Sequence, residues 1–345
     1  MELPQVVLIG PDTISELSKE LSWLGKFRAV IVTSQTPFSL FSEKISEILR
    51  KEKINFSFHV IDKKNDVNEE FEKISAKFSS GGFDVVLGFG GGKVIDVAKL
   101  IASHRGVLLV SIPTVLSHDG IASPLVSVPS NDRRYSIYAK TPNVIIADTS
   151  ILSKAPHRHT VSGFADIIAK YTAVRDWRLA HLIKGEYYGD YAAKLAETSV
   201  EMVVRECEKV GKHKEEGVRV LAEALINCGI VISIVGNSRP CSGSEHLFSH
   251  SLDLVANYPA LHGEQVGVGT IMMAYLHNAD WKLIKDVLKT VGAPISYEGL
   301  RTNPEKIVEA LTLAHKIRPE RYTILGESGL TRLAAKSLAE ETGVI

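Results

Sequence analysis

Over the first 150 residues, short Val- and Ile-rich runs alternate with segments of helical period, and this constrains the fold more than any other feature of the chain. The runs are V-V-L-I-G (6–10), A-V-I-V-T-S (29–34), F-S-F-H-V-I (56–61), D-V-V-L-G-F-G (84–90), V-L-L-V-S-I-P-T (107–114) and N-V-I-I-A-D (143–148). Near-continuous apolar strands need cover on both faces, and helices between them imply a parallel sheet. Helical period covers 39–53, 67–80 and 94–104, and Thr13-Ile-Ser-Glu16 fits a capping box that would open the first helix. After Asp148 the strand signals stop. Ala155-Pro156 marks a break, and from about Val161 the pattern is helical, interrupted at 236–242, 257–262, 292–294 and 318–320. The sequence therefore predicts a nucleotide-binding type of α/β domain with a parallel sheet (1–155), an all-helical domain (156–345) and a cleft between them. Ligands of such a sheet belong at the carboxyl ends of its strands.

The 345-residue length suits two domains, and Lys+Arg and Asp+Glu balance at 40 each, so no global field favours nucleic acid or an anionic membrane. The start, M-E-L-P-Q-V-V-L-I-G, has no basic leader region and reads as a first strand. The most apolar run, 224–236, contains Asn227 and Ser233 and falls short of the roughly 20 residues a membrane span needs, so it reads as a buried helix. Cys207, Cys228 and Cys241 are scattered without a C-x-x-C, which suggests reduced thiols in a cytoplasmic protein.

Chemistry is suggested first by L-G-F-G-G-G-K-V-I-D (87–96). It has neither the Ser/Thr of a P-loop after Gly92-Lys93 nor the third glycine of a dinucleotide fingerprint. Its glycines nevertheless fall between a strand and a helix, where bare backbone N–H groups and the helix's positive end suit a pyrophosphate. A tight turn with no ligand is the alternative. The next strand end leads into V-L-S-H-D-G-I-A-S-P (115–124), where Thr114, Ser117, Asp119 and Ser123 could line a ribose or a small polyol, or cap the loop's own turns.

In the second half, histidines concentrate in G-S-E-H-L-F-S-H (243–250) and L-H-G-E-Q-V (261–266). His246 and His250, four apart, share a helix face. Asp166 lies in S-G-F-A-D-I-I-A-K-Y (162–171), at a small-residue helix start where an acid among apolar neighbours needs a partner. Two His and a carboxylate fit a catalytic zinc or iron, but satisfied structural histidines remain open for Asp166, His246, His250 and His262. His157 and His159 lie in a basic H-R-H stretch that reads as a surface loop, whereas His118 could reach the cleft.

These stretches, in this order and spacing over nearly the whole chain, resemble the iron-type alcohol dehydrogenase superfamily, which has a dehydroquinate synthase-like fold. Within it they look most like the archaeal sn-glycerol-1-phosphate dehydrogenases. The resemblance implies one zinc per chain on Asp166, His246 and His262. It implies substrate contacts from Asp119, His250 and Asp166, and a pyrophosphate of NAD(H) or NADP(H) on Gly90, Gly91, Gly92, Lys93, Val94, Ile95 and Asp96. Thr114, Val115, Leu116, Ser117 and Ser123 would then line the nicotinamide side. The implied reaction is NAD(P)H-dependent reduction of dihydroxyacetone phosphate to sn-glycerol 1-phosphate, a precursor of archaeal ether lipids. The enzyme would be cytoplasmic, not membrane-embedded, a homo-oligomer, and without a nucleic-acid partner. Lys170, Arg175 and Arg239 are the nearby cations for the substrate phosphate. The second strand ends in T-S-Q-T-P (33–37) with no acid for a ribose 2′-hydroxyl, so either dinucleotide could serve. The rivals are a glycerol dehydrogenase, a 3-dehydroquinate synthase-like NAD/zinc lyase, and a non-catalytic metal- and nucleotide-binding protein.

Overall fold

A computed structural model describes residues 1–25, 28–78, 82–130 and 133–345. The chain divides into two units, one of Met1–Leu116 with Gly120–Pro156, the other of Ser117–Asp119 with His157–Ile345.

The strands of the first unit are β1 Val6–Gly10, β2 Arg28–Ser34, β3 Asn55–Ile61, β4 Val85–Gly90, β5 Leu108–Pro113, β6 Leu125–Ser130, β7 Arg133–Tyr138 and β8 Val144–Asp148. Six of them form a sheet in the order β1-β8-β5-β4-β2-β3, and every pairing in it is parallel. The continuous apolar runs follow from burial on both faces. On β2, Ala29 and Ile31 enter one core with Leu87 and Phe89 of β4, whereas Val30 and Val32 enter the other with Val86. From β2 the chain moves one way to β3, and from β4 it moves the other way to β5, so the order reverses between β2 and β4. At such a switch point, helices leave toward opposite faces and a crevice opens at the carboxyl ends.

Three local expectations need correction. β6 and β7 form an antiparallel ribbon that the strand reading omits, although V-S-V and Y-S-I-Y do alternate. Thr13–Glu16 is a 3₁₀ turn, not a capped α-helix. Asp12 before it is left-handed at φ 54°, and the Thr13 hydroxyl donates to the Gly10 carbonyl at 3.2 Å instead of capping. The α-helix proper is Leu17–Trp23. The helix expected over 67–80 runs Val67–Lys77, and positions 79–80 lie outside the described residues.

The second unit is helical, and its first helix, His157–Ile168, starts directly after Pro156. His157 and His159 are therefore in a helix rather than a loop, and Asp166 stands near its end rather than its start. The apolar run belongs to a helix of 21 residues, Glu215–Val235, whose most apolar 18-residue window has mean hydropathy 2.0. It is long enough to cross a membrane, contrary to the length argument. Of that window 61% is buried, with Leu221, Leu225, Cys228 and Ile232 in the core.

Candidate active site

In the second unit, ligand atoms of Asp166, His246 and His262 all lie within 4.8 Å of one another. The helices His157–Ile168, Ser244–Ala256 and His262–Leu276 bring them together. Glycines permit the approach. A Cβ on Gly263 would lie 1.9 Å from the Ser162 carbonyl oxygen, one on Gly267 3.0 Å from Ala165 Cβ, and one on Gly269 2.9 Å from Phe248.

Each donor is held from behind. Asp166 Oδ2 accepts from the Lys170 ammonium at 3.0 Å and from the Asp119 backbone N–H at 3.1 Å, which leaves Oδ1 3.5 Å from His246 Nε2. His246 Nδ1 donates to Glu245 at 2.8 Å, and His262 Nδ1 meets the Ser249 hydroxyl at 3.2 Å. The Glu245 carboxylate can only accept, so it fixes the His246 tautomer and leaves Nε2 as its ligand atom, while Ser249 ties Nδ1 of His262 in place. Two imidazoles and a carboxylate, each oriented and each with one coordinating atom turned to a common point, fit a zinc site with an open position. Burial favours the neutral acid at Asp166, but Lys170, His246 and His262 outweigh it and hold the carboxyl far below its ordinary range. Burial and the neighbouring His246 and His250 push His262 well down, so it stands ready as a neutral ligand.

His250 stacks on His262 with ring centroids 5.5 Å apart, and His118 is an electrostatic neighbour of His262. Asp119 Oδ2 accepts from Lys170 at 2.9 Å. The three cations considered for a substrate phosphate are engaged elsewhere. Lys170 bridges two carboxylates, Arg175 lies over the Tyr171 ring at 3.9 Å, and Arg239 forks onto Glu186.

Sequence spacing singles out neither Glu245 nor Asp176. Glu245 also accepts from Thr172 at 2.7 Å, and Asp176 takes the Ser244 N–H and hydroxyl, each at 2.6 Å, and the Ile324 N–H at 2.7 Å. Nothing in their spacing marks them, since Asp176 stands between Arg175 and Trp177 and Glu245 directly precedes His246.

In the first unit, β4 ends at Gly90, and the helix Gly92–Arg105 starts from Gly91, which offers no capping side chain. A Cβ on Gly90 would strike Val94 at 2.7 Å, and one on Gly88 would meet Ala98 at 3.0 Å, so packing explains both glycines. Gly91 has an unstrained φ of −82°, and its Cβ would meet only Val115, at 3.3 Å. Lys93 does not stand open toward the turn: its ammonium donates to the carbonyls of Asp62 at 2.9 Å, Lys63 at 3.3 Å and Asn65. Asp96 is likewise turned inward, with Oδ2 accepting from the Ser127 N–H at 3.3 Å and Oδ1 3.4 Å from buried Lys99. Val94 and Ile95 are core residues of this helix. In the loop after β5, the Thr114 N–H donates to the Gly90 carbonyl at 3.0 Å, Leu116 and Ser123 are buried, and the Ser117 carbonyl accepts from Ser162 at 3.2 Å.

The iron-containing alcohol dehydrogenase family matches residues 8–156. The glycerol-1-phosphate dehydrogenase (NAD(P)+) of Pyrococcus abyssi is 46% identical over 100% of this chain and 99% of its own length. The chain belongs to the glycerol-1-phosphate dehydrogenase family. The namesake from Methanothermobacter thermautotrophicus is 45% identical, again over 100% of this chain and 99% of its own. Among solved structures, a probable glycerol dehydrogenase from Sinorhizobium meliloti superposes with a TM-score of 0.81 at 22% identity, covering 99% of this chain and 98% of that one. Glycerol dehydrogenase from Schizosaccharomyces pombe gives 0.78 at 18% identity, covering 98% and 89%. These likenesses establish the fold: a parallel-sheet α/β unit followed by a helical one, as the sequence predicts.

Proposed function

We propose that the chain is an NAD(P)H- and zinc-dependent dehydrogenase that reduces dihydroxyacetone phosphate to sn-glycerol 1-phosphate for ether-lipid synthesis. The carrying observation is the oriented donor set of Asp166, His246 and His262, in a chain that matches the named dehydrogenases end to end. A zinc held there would supply Lewis acidity to the substrate's carbonyl oxygen, and a bound NAD(P)H would supply the hydride. Lys170 and the Asp119 N–H hold Asp166 Oδ2 so that Oδ1 faces the ligand point. Glu245 holds His246 in the matching tautomer, and Ser249 holds the His262 ring at Nδ1. Asp119 and His250 contact substrate, and the proton for the product hydroxyl comes through His250 or a water. The dinucleotide lies at the Gly91 turn and along 114–117. Support comes from Gly91 itself, where φ is ordinary and a Cβ would press only on the Val115 side chain, at 3.3 Å, whereas close approach of a phosphate would favour glycine. β2 ends at Ser34 with no acid, consistent with both dinucleotides being accepted. The protein is cytoplasmic and homo-oligomeric in this reading. The unbridged buried thiols of Cys228 and Cys241 support the first, and the exposed Leu182, Ile183, Tyr187 and Tyr191 support the second.

The reading is tested by following nicotinamide absorbance with pure enantiomers. Hydride reaches one face of a prochiral ketone, and a substrate fixed at its carbonyl and its phosphate presents only one. Oxidation of sn-glycerol 1-phosphate is expected, with little turnover of the sn-3 isomer or of free glycerol. Equal rates on the two enantiomers refute it, and faster turnover of glycerol moves the chain to the glycerol dehydrogenase branch.

Gly91→Val should weaken NAD(P)H binding by roughly tenfold or more, through lost backbone hydrogen bonds to phosphate. The extended backbone at this position accepts valine, so the fold and the zinc content should remain. Unchanged NAD(P)H affinity in the folded variant would put the dinucleotide elsewhere.

A further inference from the structure

A substrate phosphate needs a cation, and several cations on or beside the donor-bearing helices are already paired. Lys170 sits between Asp119 and Asp166, Arg158 forks onto Glu264 at 2.6 Å, and Arg239 forks onto Glu186 while donating to the Tyr322 carbonyl. Arg321 differs. One Nη donates to the Ser242 carbonyl and the other to the Ser238 hydroxyl at 2.9 Å, both neutral partners. Among the described residues no carboxylate lies within 4.0 Å of its guanidinium. A guanidinium carries five N–H donors in a planar fork that matches phosphate, so donors remain.

Its surroundings call for an anion. Burial, with Arg318 and Arg239 as cationic neighbours, pulls Arg321 down to about 9, and the more distant carboxylates of Glu245 and Glu186 offset this only in part. A sheltered charge with like-charged neighbours and neutral partners is costly unless an anion joins it. Its position is also apt. Ser242 stands on the turn that enters the helix Ser244–Ala256, and His246 lies in that helix's first turn. Glu245, which orients His246, is also a charge neighbour of Arg321. The segment bearing Arg321 is tied to the same helix start, because the Ile324 N–H and the Ser244 N–H share Asp176.

We propose that Arg321 binds the phosphate monoester of the substrate through the N–H donors not engaged by Ser238 and Ser242. The proposal rests on the dehydrogenase reading above and adds to it the group that distinguishes a phosphorylated ketone from an unphosphorylated one. The test compares dihydroxyacetone phosphate with dihydroxyacetone in the wild type, Arg321→Met and Arg321→Lys, with zinc content measured in each. Loss of a charge-assisted contact should raise KM for dihydroxyacetone phosphate on the order of 10- to 100-fold in Arg321→Met. Turnover of dihydroxyacetone, which has no phosphate contact to lose, should fall far less than that of dihydroxyacetone phosphate. Arg321→Lys keeps the charge and the stem, so it serves if the methionine variant does not fold. It should show a smaller rise in KM and weaker competitive inhibition by inorganic phosphate than the wild type. A wild type that prefers the phosphorylated ketone, with KM and phosphate inhibition unchanged in the folded variants, overturns the role of Arg321 and leaves the dehydrogenase reading standing. A wild type that does not prefer the phosphorylated ketone overturns that reading instead.

Discussion

Protein stripped of metal by a chelator is expected to lose turnover on the order of a thousandfold and to regain it with added zinc, as removal of several kcal/mol of Lewis-acid stabilisation requires. His246→Ala should do the same without a chelator, because it deletes one of three donors that meet within 4.8 Å. His250→Ala should retain zinc and lose turnover, since its ring stacks on His262 but stands outside the donor set. Glu245→Ala is intermediate: with the Nδ1 partner gone, His246 is free to turn, and zinc affinity should fall about 10- to 100-fold. Zinc content by elemental analysis, read beside activity, separates these roles. Full activity in demetallated protein would remove the metal from the reaction. Loss of zinc from His250→Ala as complete as from His246→Ala would make His250 a ligand.

What the sequence discloses depends on how local the determining interaction is. The parallel strands are legible because each is buried on both faces, so Val30 and Ile31 are apolar although they point to opposite cores. The β6–β7 ribbon is obscure because its alternation is short and Tyr135, Ile137 and Tyr138 are exposed apolar residues rather than buried ones. The pattern at Thr13 to Glu16 misleads because a capping box needs Thr13 as an extended N-cap, whereas Thr13 already lies inside the 3₁₀ turn and its hydroxyl bonds back to Gly10. In the site, the histidine spacing is local and visible, whereas its support is not. The 2.9 Å bridge from Lys170 to Asp119 spans separate segments, as does the 2.6 Å contact of Asp176 with Ser244. A lysine such as Lys93 reads as a phosphate contact from its place beside the glycines, yet backbone carbonyls from a loop some thirty positions earlier hold its ammonium.

The second large effect is expected at Gly263, a residue with no chemistry of its own. It follows His262 at the start of the helix His262–Leu276, and its missing side chain lets that helix meet His157–Ile168 almost backbone to backbone. A Cβ there would sit 1.9 Å from the Ser162 carbonyl oxygen and 2.7 Å from its hydroxyl oxygen. No rotamer relieves this, because the obstacle is main chain, so the helices in Gly263→Ala must separate. Overpacking of this kind costs about 3 kcal/mol or more and is felt throughout a close-packed interior. The separation has a chemical consequence, since His262 rides on one helix and Asp166 on the other. The variant should therefore melt well below the wild type and lose zinc, while NAD(P)H binding at the Gly91 turn of the first unit persists. Gly267→Ala is the graded control. Its Cβ would meet the Ala165 side chain at 3.0 Å, a contact that small shifts can relieve, so it should retain zinc with a smaller loss of stability. If Gly263→Ala matches the wild type in melting temperature and zinc content, close approach of these two helices does not build the metal site.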